Sequence, residues 1–216
     1  MKTLSMLFIA GLFSVTVLAQ NNYEAAMETA LNNFENADST KELQAVAAQF
    51  ERIANAEQNE WLPQYYASMT NCNLAFMTED IQKKEMYINQ SQSWLDKAMK
   101  IISDESELYT LQGLIYQAYI GIDPENNGRI YSSKANGSLQ TAIKLNAENP
   151  RPYYLQAMMI LYTPEQFGGG KQAALPLFEK AMELFNKSES GNTLLPDWGK
   201  TDCEQYIITC REQQAR

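Results

Sequence analysis

The chain has 216 residues, with 17 basic and 26 acidic side chains, a formal net charge of −9 and no histidine. A surface this acidic repels phosphate backbones, so the composition argues against nucleic-acid binding. Without histidine the chain cannot form a Ser-His-Asp or Cys-His catalytic unit, an imidazole general base or a histidine metal site.

The first residues have the pattern of a secretory signal peptide. Lys2 provides a positive start, an apolar run extends from Leu4 to Leu18, and Val17-Leu18-Ala19 resembles a signal-peptidase site. The run is shorter than the roughly 20 residues of a membrane helix. We therefore predict cleavage after Ala19 and an exported protein, periplasmic or secreted, with no membrane span in the mature chain. A buried N-terminal helix or a membrane anchor is the alternative.

The rest of the chain, residues 20–216, is predicted to be one helical domain, because no strand-like alternation persists and apolar residues recur with helical spacing. Clusters of Gly and Pro separate the helical stretches. The predicted elements form four pairs and a final helix: 22–36 with 40–57, 59–77 with 82–102, 105–120 with 129–147, 150–162 with 170–187, and 197–214.

Two kinds of segment recur along these pairs. The second helices share a large apolar residue, two polar residues and then Ile or Ala, with anchors 39 to 45 residues apart. Those anchors are Phe50, Leu95, Leu139 and Phe178. The first helices carry a small residue amid aromatics, at Ala67, Gly113 and Ala157. Gly113 and Ala157 are expected to let two helices approach closely.

On these residues the chain resembles the tetratricopeptide-repeat superfamily. Tyr109, Gly113 and Tyr116 match the first-helix spacing, and Ala174, Phe178 and Ala181 match the second. The resemblance implies an all-α fold: a short right-handed α-solenoid of about four antiparallel helix pairs plus a C-terminal capping helix, with first helices lining a concave groove. The run Asn149-Pro-Arg-Pro-Tyr-Tyr and the later Phe167-Gly-Gly-Gly-Lys are also similar to exported bacterial repeat proteins, some of them accessory to solute transport.

Tyrosine and amide side chains on the first helices are the candidate binding residues, because Tyr offers contact area with a polar tip. Two stretched connections, 121–128 and 163–170, are expected to lie on one edge and to offer a second binding face. The predicted partner-binding residues are Gln64, Ser68, Asn71, Thr110, Gln117, Tyr154, Met158, Tyr162, Phe167 and Lys171.

No catalytic, cofactor or metal site is predicted. Gly168-Gly-Gly-Lys171 lacks the spacing of a P-loop, so it indicates a turn with positive φ angles, although exposed amides there could hold an anion. The segment from Asp123 to Gly128 imitates a calcium loop, but Lys134 occupies the position of its last ligand. Cys203 and Cys210, seven residues apart on one helix, are predicted to be buried free thiols.

The leading functional hypothesis is therefore a non-enzymatic exported scaffold that binds a protein or peptide in the groove or along the edge with the long connections. The alternative is a small-solute binding protein or transport accessory that uses the same groove. A carboxylate-based enzyme is a third interpretation, and it would require two Asp or Glu side chains that converge in a cleft.

Overall fold

The computed structural model describes residues 22–188 and 191–212. These residues form nine α-helices, one short 3-10 helix and no strand. The helices are α1 (22–35), α2 (Thr40–Ala56), α3 (Trp61–Met77), α4 (Ile81–Ile101), α5 (Ser106–Ile120), α6 (Pro124–Leu145), α7 (Pro150–Leu161), α8 (Lys171–Lys187) and α9 (Lys200–Arg211), with the 3-10 turn at Glu165–Phe167. The all-α prediction and the order of its elements are confirmed, whereas the predicted signal peptide lies outside the described residues.

Polar side chains at the helix starts explain where several helices begin. Ser39 accepts from the backbone N–H of Glu42, whose side chain accepts in return from the Ser39 N–H, and this reciprocal capping box starts α2. Asp80 accepts from the backbone of Gln82 and Lys83 at the start of α4.

One predicted boundary was wrong. The predicted loop 121–128 shrinks to a three-residue connection, because Asp123 caps α6 and Pro124 occupies its first turn. Asp followed by Pro and Glu is a strong helix start, and it outweighs the poor helix propensity of the Asn and Gly residues that follow. Of the two expected long connections, only the one between α7 and α8 is long.

The helices form antiparallel pairs that stack into a solenoid. The first helices α3, α5 and α7 pack on α4, α6 and α8, and α3 contacts α5 while α5 contacts α7. In the first pair, the ring centroids of Phe34 on α1 and Phe50 on α2 lie 6.3 Å apart. No comparable contact joins the second helices α4, α6 and α8 to one another within the described residues. The first helices therefore form the inner row, and α9 packs on α8 as a final cap.

The repeated residues build the core. All four second-helix anchors, Phe50, Leu95, Leu139 and Phe178, are fully buried. At Gly113 a Cβ atom would lie 2.6 Å from Cδ2 of Leu139, so the close approach predicted there is confirmed. The buried side chains form two clusters, one around α1 to α5 and one around α6 to α9.

Candidate functional site

Most of the polar side chains predicted to face a groove lie inside the molecule, so their predicted placement was wrong. The buried ones are Gln64, Ser68, Asn71 and Thr110. Each has an internal partner: Gln64 Nε2 donates to the Ala54 carbonyl at 2.8 Å, for example, and the hydroxyls of Ser68 and Ser91 lie 3.0 Å apart. These helices are covered by second helices and by the neighbouring first helix, so their small polar residues serve packing.

Three further predicted residues also pack against neighbouring helices. Tyr154 is buried, with its ring centroid 6.1 Å from that of Phe178, so its predicted exposure to a groove was wrong. Gln117 is half-buried and donates to the Leu155 carbonyl at 3.3 Å. Met158 is half-buried against the second core cluster.

A segment from the C-terminal part of the chain crosses the inner row of helices. We call residues 191–198 the strap, because they run between α8 and α9 yet contact the first half of the molecule. Leu194 is buried in the first core cluster, and its carbonyl accepts from the Tyr66 hydroxyl at 2.9 Å. Trp198 packs against both core clusters. The strap therefore occupies the groove that the sequence predicts to be open.

A buried ion pair holds the strap from α7. Nη1 of Arg151 lies 3.1 Å from Oε1 of Glu107, and Nη2 donates to the carbonyl of Pro196 in the strap. Its guanidinium carbon lies 5.6 Å from the Trp198 ring centroid and 5.9 Å from that of Phe185. The cation is thus fixed by a carboxylate, a carbonyl and two aromatic rings.

Burial dominates the electrostatics of Glu107. It raises the pKa of this carboxyl from 4.5 to about 7, although the Arg151 charge lowers it and a hydrogen bond from Asn149 stabilises the ionised form. Oε1 of Glu107 accepts hydrogen bonds from both Asn149 and Arg151, whereas its buried Oε2 has no partner among the described residues. Glu107 is therefore an incompletely satisfied buried acid.

Three cavities border the strap. One of about 830 Å³ lies between α1, α8 and the strap and is lined by Phe34, Tyr66 and Trp198. Another cavity, of about 880 Å³, is lined by Glu107 and Lys187 together with residues of the strap. A smaller one of about 390 Å³ lies beside Tyr23. The strap therefore bridges the inner face without filling it to the density of a core.

Exposed apolar side chains concentrate on a different part of the surface. We call this the turn edge: the connections between the two helices of each pair, with the last turn of the first helix and about the first two turns of the second. Of the nine large hydrophobic side chains that are exposed in the described residues, seven lie on this edge. They are Phe76, Met77, Ile81, Met86, Ile130, Tyr162 and Phe167.

A cluster of tyrosines occupies the middle of the turn edge. The rings of Tyr119 and Tyr131 stack with centroids 4.6 Å apart, and Tyr116 lies 6.0 Å from Tyr131. The Lys134 ammonium sits over the cluster, 4.9 Å from the Tyr131 centroid. The Tyr119 hydroxyl donates to Asn89 of the preceding pair at 3.1 Å, so the cluster also joins two repeats.

The long connection after α7 presents two of the predicted binding residues. Tyr162 is 71% exposed and Phe167 is 74% exposed, which makes them the most exposed of the large hydrophobic side chains. The Tyr162 hydroxyl lies 3.5 Å from that of Tyr206 on α9. Lys171 begins α8 beside this connection and is half-buried. Whether these residues bind a partner stays a prediction.

The glycines of this connection form a closed turn. Gly168 and Gly170 have φ angles of +83° and +92°, so the predicted positive φ angles are confirmed. The N–H groups of Gly168, Gly169 and Gly170 donate to the carbonyls of Glu165, Pro164 and Ile160. These amides are therefore satisfied within the turn and do not form an anion cradle.

Residues 22–188 and 191–212 contain no group of three or more Cys, Asp or Glu side chains arranged to hold a metal ion. None of their helices is both long enough and apolar enough to cross a membrane.

Comparison with known proteins places the chain beside two solved structures. The HusA haemophore from Porphyromonas gingivalis superposes with a TM-score of 0.79 and 29% sequence identity, over 88% of this chain and 94% of the haemophore. A thermophilic tetratricopeptide-repeat protein from Thermus thermophilus superposes with a TM-score of 0.55 and 19% identity, over 93% and 96% of the two chains. No protein-family model and no curated protein matches the chain. The chain has a tetratricopeptide-repeat-like fold, as its sequence predicted.

Sequence reasoning missed the strap and most of the turn edge. The apolar residues Leu194, Leu195 and Trp198 in a turn-rich segment are the one signal that could have indicated a docked strap. The apolar residues of the edge, such as Phe76 and Ile130, fit the helical periodicity less well than the core anchors, but that signal is weak for single residues.

Proposed function

We propose that this chain is a non-catalytic binding protein that holds haem, or a similar planar tetrapyrrole, on its turn edge. The observation that carries the proposal is the concentration of exposed apolar side chains on that edge. Large exposed apolar patches on soluble proteins mark sites of interaction. The inner face, which the sequence favoured, is a weaker candidate because the strap covers it.

The identity of the ligand comes from the similarity to the HusA haemophore, which extends over nearly the whole of both chains. A tetrapyrrole is a flat apolar ring with carboxylates at its margin, so its site needs apolar and aromatic contacts together with nearby cations. The turn edge offers both. Aromatic rings are available at Phe76, Tyr131, Tyr162 and Phe167, and basic groups at Lys83, Arg129, Lys134 and Lys171.

The donor set of the chain is compatible with haem, although it lacks the commonest ligand. No histidine occurs in the sequence, so iron contact by imidazole is excluded. Tyr and Met also hold haem iron in proteins, and the edge exposes Tyr162, Met77 and Met86. These residues would supply an oxygen or sulfur ligand, while the surrounding rings cover the apolar faces of the ligand.

Titration with haem, followed by the change in its Soret absorbance, tests this proposal. We expect saturable binding by the chain from residue 20 onwards. In a Tyr162→Ser/Phe167→Ser variant we expect the affinity to fall about tenfold or more, because each aromatic contact contributes about 1 kcal/mol. Both side chains are mostly exposed, so the variant should fold normally.

A matched control uses the two exposed apolar residues that lie elsewhere. Leu145 ends α6 on the opposite edge, and Ile208 lies on α9. A Leu145→Ser/Ile208→Ser variant should bind haem as the unaltered chain does. Absence of saturable binding by the unaltered chain, or an equal loss in both variants, would contradict the proposal.

The cellular role follows from the same proposal. A binding protein for haem needs no catalytic residues, so we retain the assignment as a non-enzyme, and export through the predicted signal peptide would place it where free haem is met. Capture of a protein or peptide partner, the leading hypothesis from sequence, has no observation of its own beyond the turn edge. Secretion of a tagged full-length chain by its source, with loss of residues 1–19, tests the export.

A further inference from the structure

We infer that Lys134 and the tyrosines beneath it form a subsite that recognises a free carboxylate of the ligand. The inference rests on the proposed function and deepens it, because it predicts which tetrapyrroles bind. The diacid form should be selected, and forms whose carboxylates are esterified should be rejected.

The position of Lys134 within the edge is the first reason. The tyrosine cluster lies between the apolar residues of the α3–α4 turn and those of the long connection after α7. Residues at the centre of a binding surface contribute most to affinity. Lys134 lies midway along α6 and extends over this cluster, with its ammonium 4.9 Å from the Tyr131 ring centroid and 5.7 Å from that of Tyr116.

The unused bonding capacity at this point is the second reason. Lys134 makes no ion pair with a carboxylate in the part of the chain that the structure describes. The hydroxyls of Tyr116 and Tyr131 make no hydrogen bond to another described residue. The rings of Tyr116 and Tyr131 hold the Lys134 ammonium by cation–π attraction, which leaves its N–H groups free for an anion. The ammonium and the two tyrosine hydroxyls are thus three donor groups available beside an apolar surface.

The charge of the whole chain is the third reason. At a net charge of −9 the molecule repels a dicarboxylate over long range, so any preference for the diacid must come from local cations. Of the other basic residues on the edge, Lys83 already has a carboxylate partner, Asp80, at 4.0 Å. Burial raises the pKa of the Tyr119 hydroxyl, and Tyr131 and Glu85 raise it further, so Glu85 is an acid whose charge reaches the cluster.

Iron-free protoporphyrin and its dimethyl ester are the probes that test the subsite, because they differ only in the carboxylates and involve no iron. Binding is measured by porphyrin fluorescence for the unaltered chain, Lys134→Gln and Lys144→Gln. Lys144 is the matched control, since it is an exposed lysine near the far end of the same helix. We expect the unaltered chain and Lys144→Gln to prefer the diacid, and Lys134→Gln to bind the diacid about threefold to tenfold more weakly with unchanged binding of the ester.

The possible failures are distinguishable. Equal weakening of both probes by Lys134→Gln would show that the lysine only packs on the rings, and retention of the preference would place the subsite elsewhere; either result overturns the inference alone. Equal affinity of the unaltered chain for the diacid and the ester also overturns the inference, but leaves the proposed function standing. An unaltered chain that binds neither probe nor haem overturns the proposed function and this inference with it.

Discussion

Trp198 donates its indole N–H to the hydroxyl of Tyr65 at 2.8 Å, which joins two residues 133 positions apart. Tyr65 is fully buried on α3, near the start of the solenoid, and Trp198 ends the strap just before α9. The second helix pair and the segment before the C-terminal helix are therefore tied through the inner face of the array. A linear solenoid has contacts only between neighbouring repeats, so this tie adds cooperativity between distant ones.

Leu194 is the side chain through which the strap stabilises the fold, so Leu194→Ala should lower the free energy of unfolding by about 2 to 3 kcal/mol. This loss in the free energy of unfolding is near the low end of the range for buried leucines, because cavities already flank the strap. Urea unfolding followed by circular dichroism measures it. Leu145→Ala, at an exposed position, is the control and should change the stability by less than about 0.5 kcal/mol. A Leu194→Ala chain as stable as the control would mean that the strap is not part of the folded core.

The fold could be predicted because its information is periodic and local. Phe50, Leu95, Leu139 and Phe178 recur at nearly constant spacing, and all are fully buried. The strap has no such period: the partner of Leu194 is Tyr66, 128 residues earlier, and nothing local in the sequence specifies that contact. Long-range docking of an irregular segment depends on the shape of the assembled solenoid.

The candidate site was predicted only in part, for a different reason. Ser68 and Thr110 were predicted to face the groove because they are offset along the first helices from the packing aromatics, yet each satisfies its hydroxyl inside the helix array. Polarity alone does not distinguish a solvent-facing residue from a buried one that has a partner. Tyr162 was predicted at the end of a first helix and Phe167 in the connection after it, and both are exposed. Their neighbours on the edge could be recognised only once the turns were aligned in space.

Gly113 and Gly137 should respond in opposite directions to the same substitution. Gly113→Ala would place a Cβ atom 2.6 Å from Leu139, so we expect a loss of about 1 to 3 kcal/mol. At Gly137, in the middle of α6, a Cβ atom would meet nothing within 4 Å, so Ala should stabilise the helix by about 0.5 to 1 kcal/mol. Thermal unfolding of the two variants measures both effects. The same sign in both would contradict the close α5–α6 contact.

The three cysteines should resist thiol reagents in the folded protein. Cys72, Cys203 and Cys210 are all buried and free. Burial raises the pKa of Cys203 to about 12 and raises the pKa values of Cys72 and Cys210 as well, so little reactive thiolate exists at neutral pH. We expect no rapid reaction with a disulfide reagent in buffer and three equivalents in guanidinium chloride. Rapid labelling of Cys203 or Cys210 in the folded chain would contradict the packing of α9 on α8, and rapid labelling of Cys72 would contradict the burial of α3.

The buried carboxyl of Glu107 should make the stability depend on pH in an unusual direction. Its pKa is about 7 in the folded chain against 4.5 in the unfolded one, so the folded state holds a proton more firmly. The stabilisation is complete below pH 4.5 and is lost as the pH rises through about 7. The chain contains no histidine, so no imidazole titrates across this window.

We therefore expect the Tm to fall by about 5 °C between pH 5 and pH 7.5, with most of the fall between pH 5 and pH 7 and little change above pH 7. Glu107→Gln keeps an acceptor for Asn149 and Arg151 but removes the titration, so its Tm should be nearly constant over the same range. Glu105→Gln is the matched control: Glu105 is a half-buried neighbour whose charge raises the pKa of Glu107, so its loss should move the transition to lower pH without abolishing it. A Glu107→Gln variant that keeps the full pH dependence would assign the effect to other groups. A Tm that rises with pH in the unaltered chain would mean that the attraction of Arg151 outweighs the burial of the carboxyl.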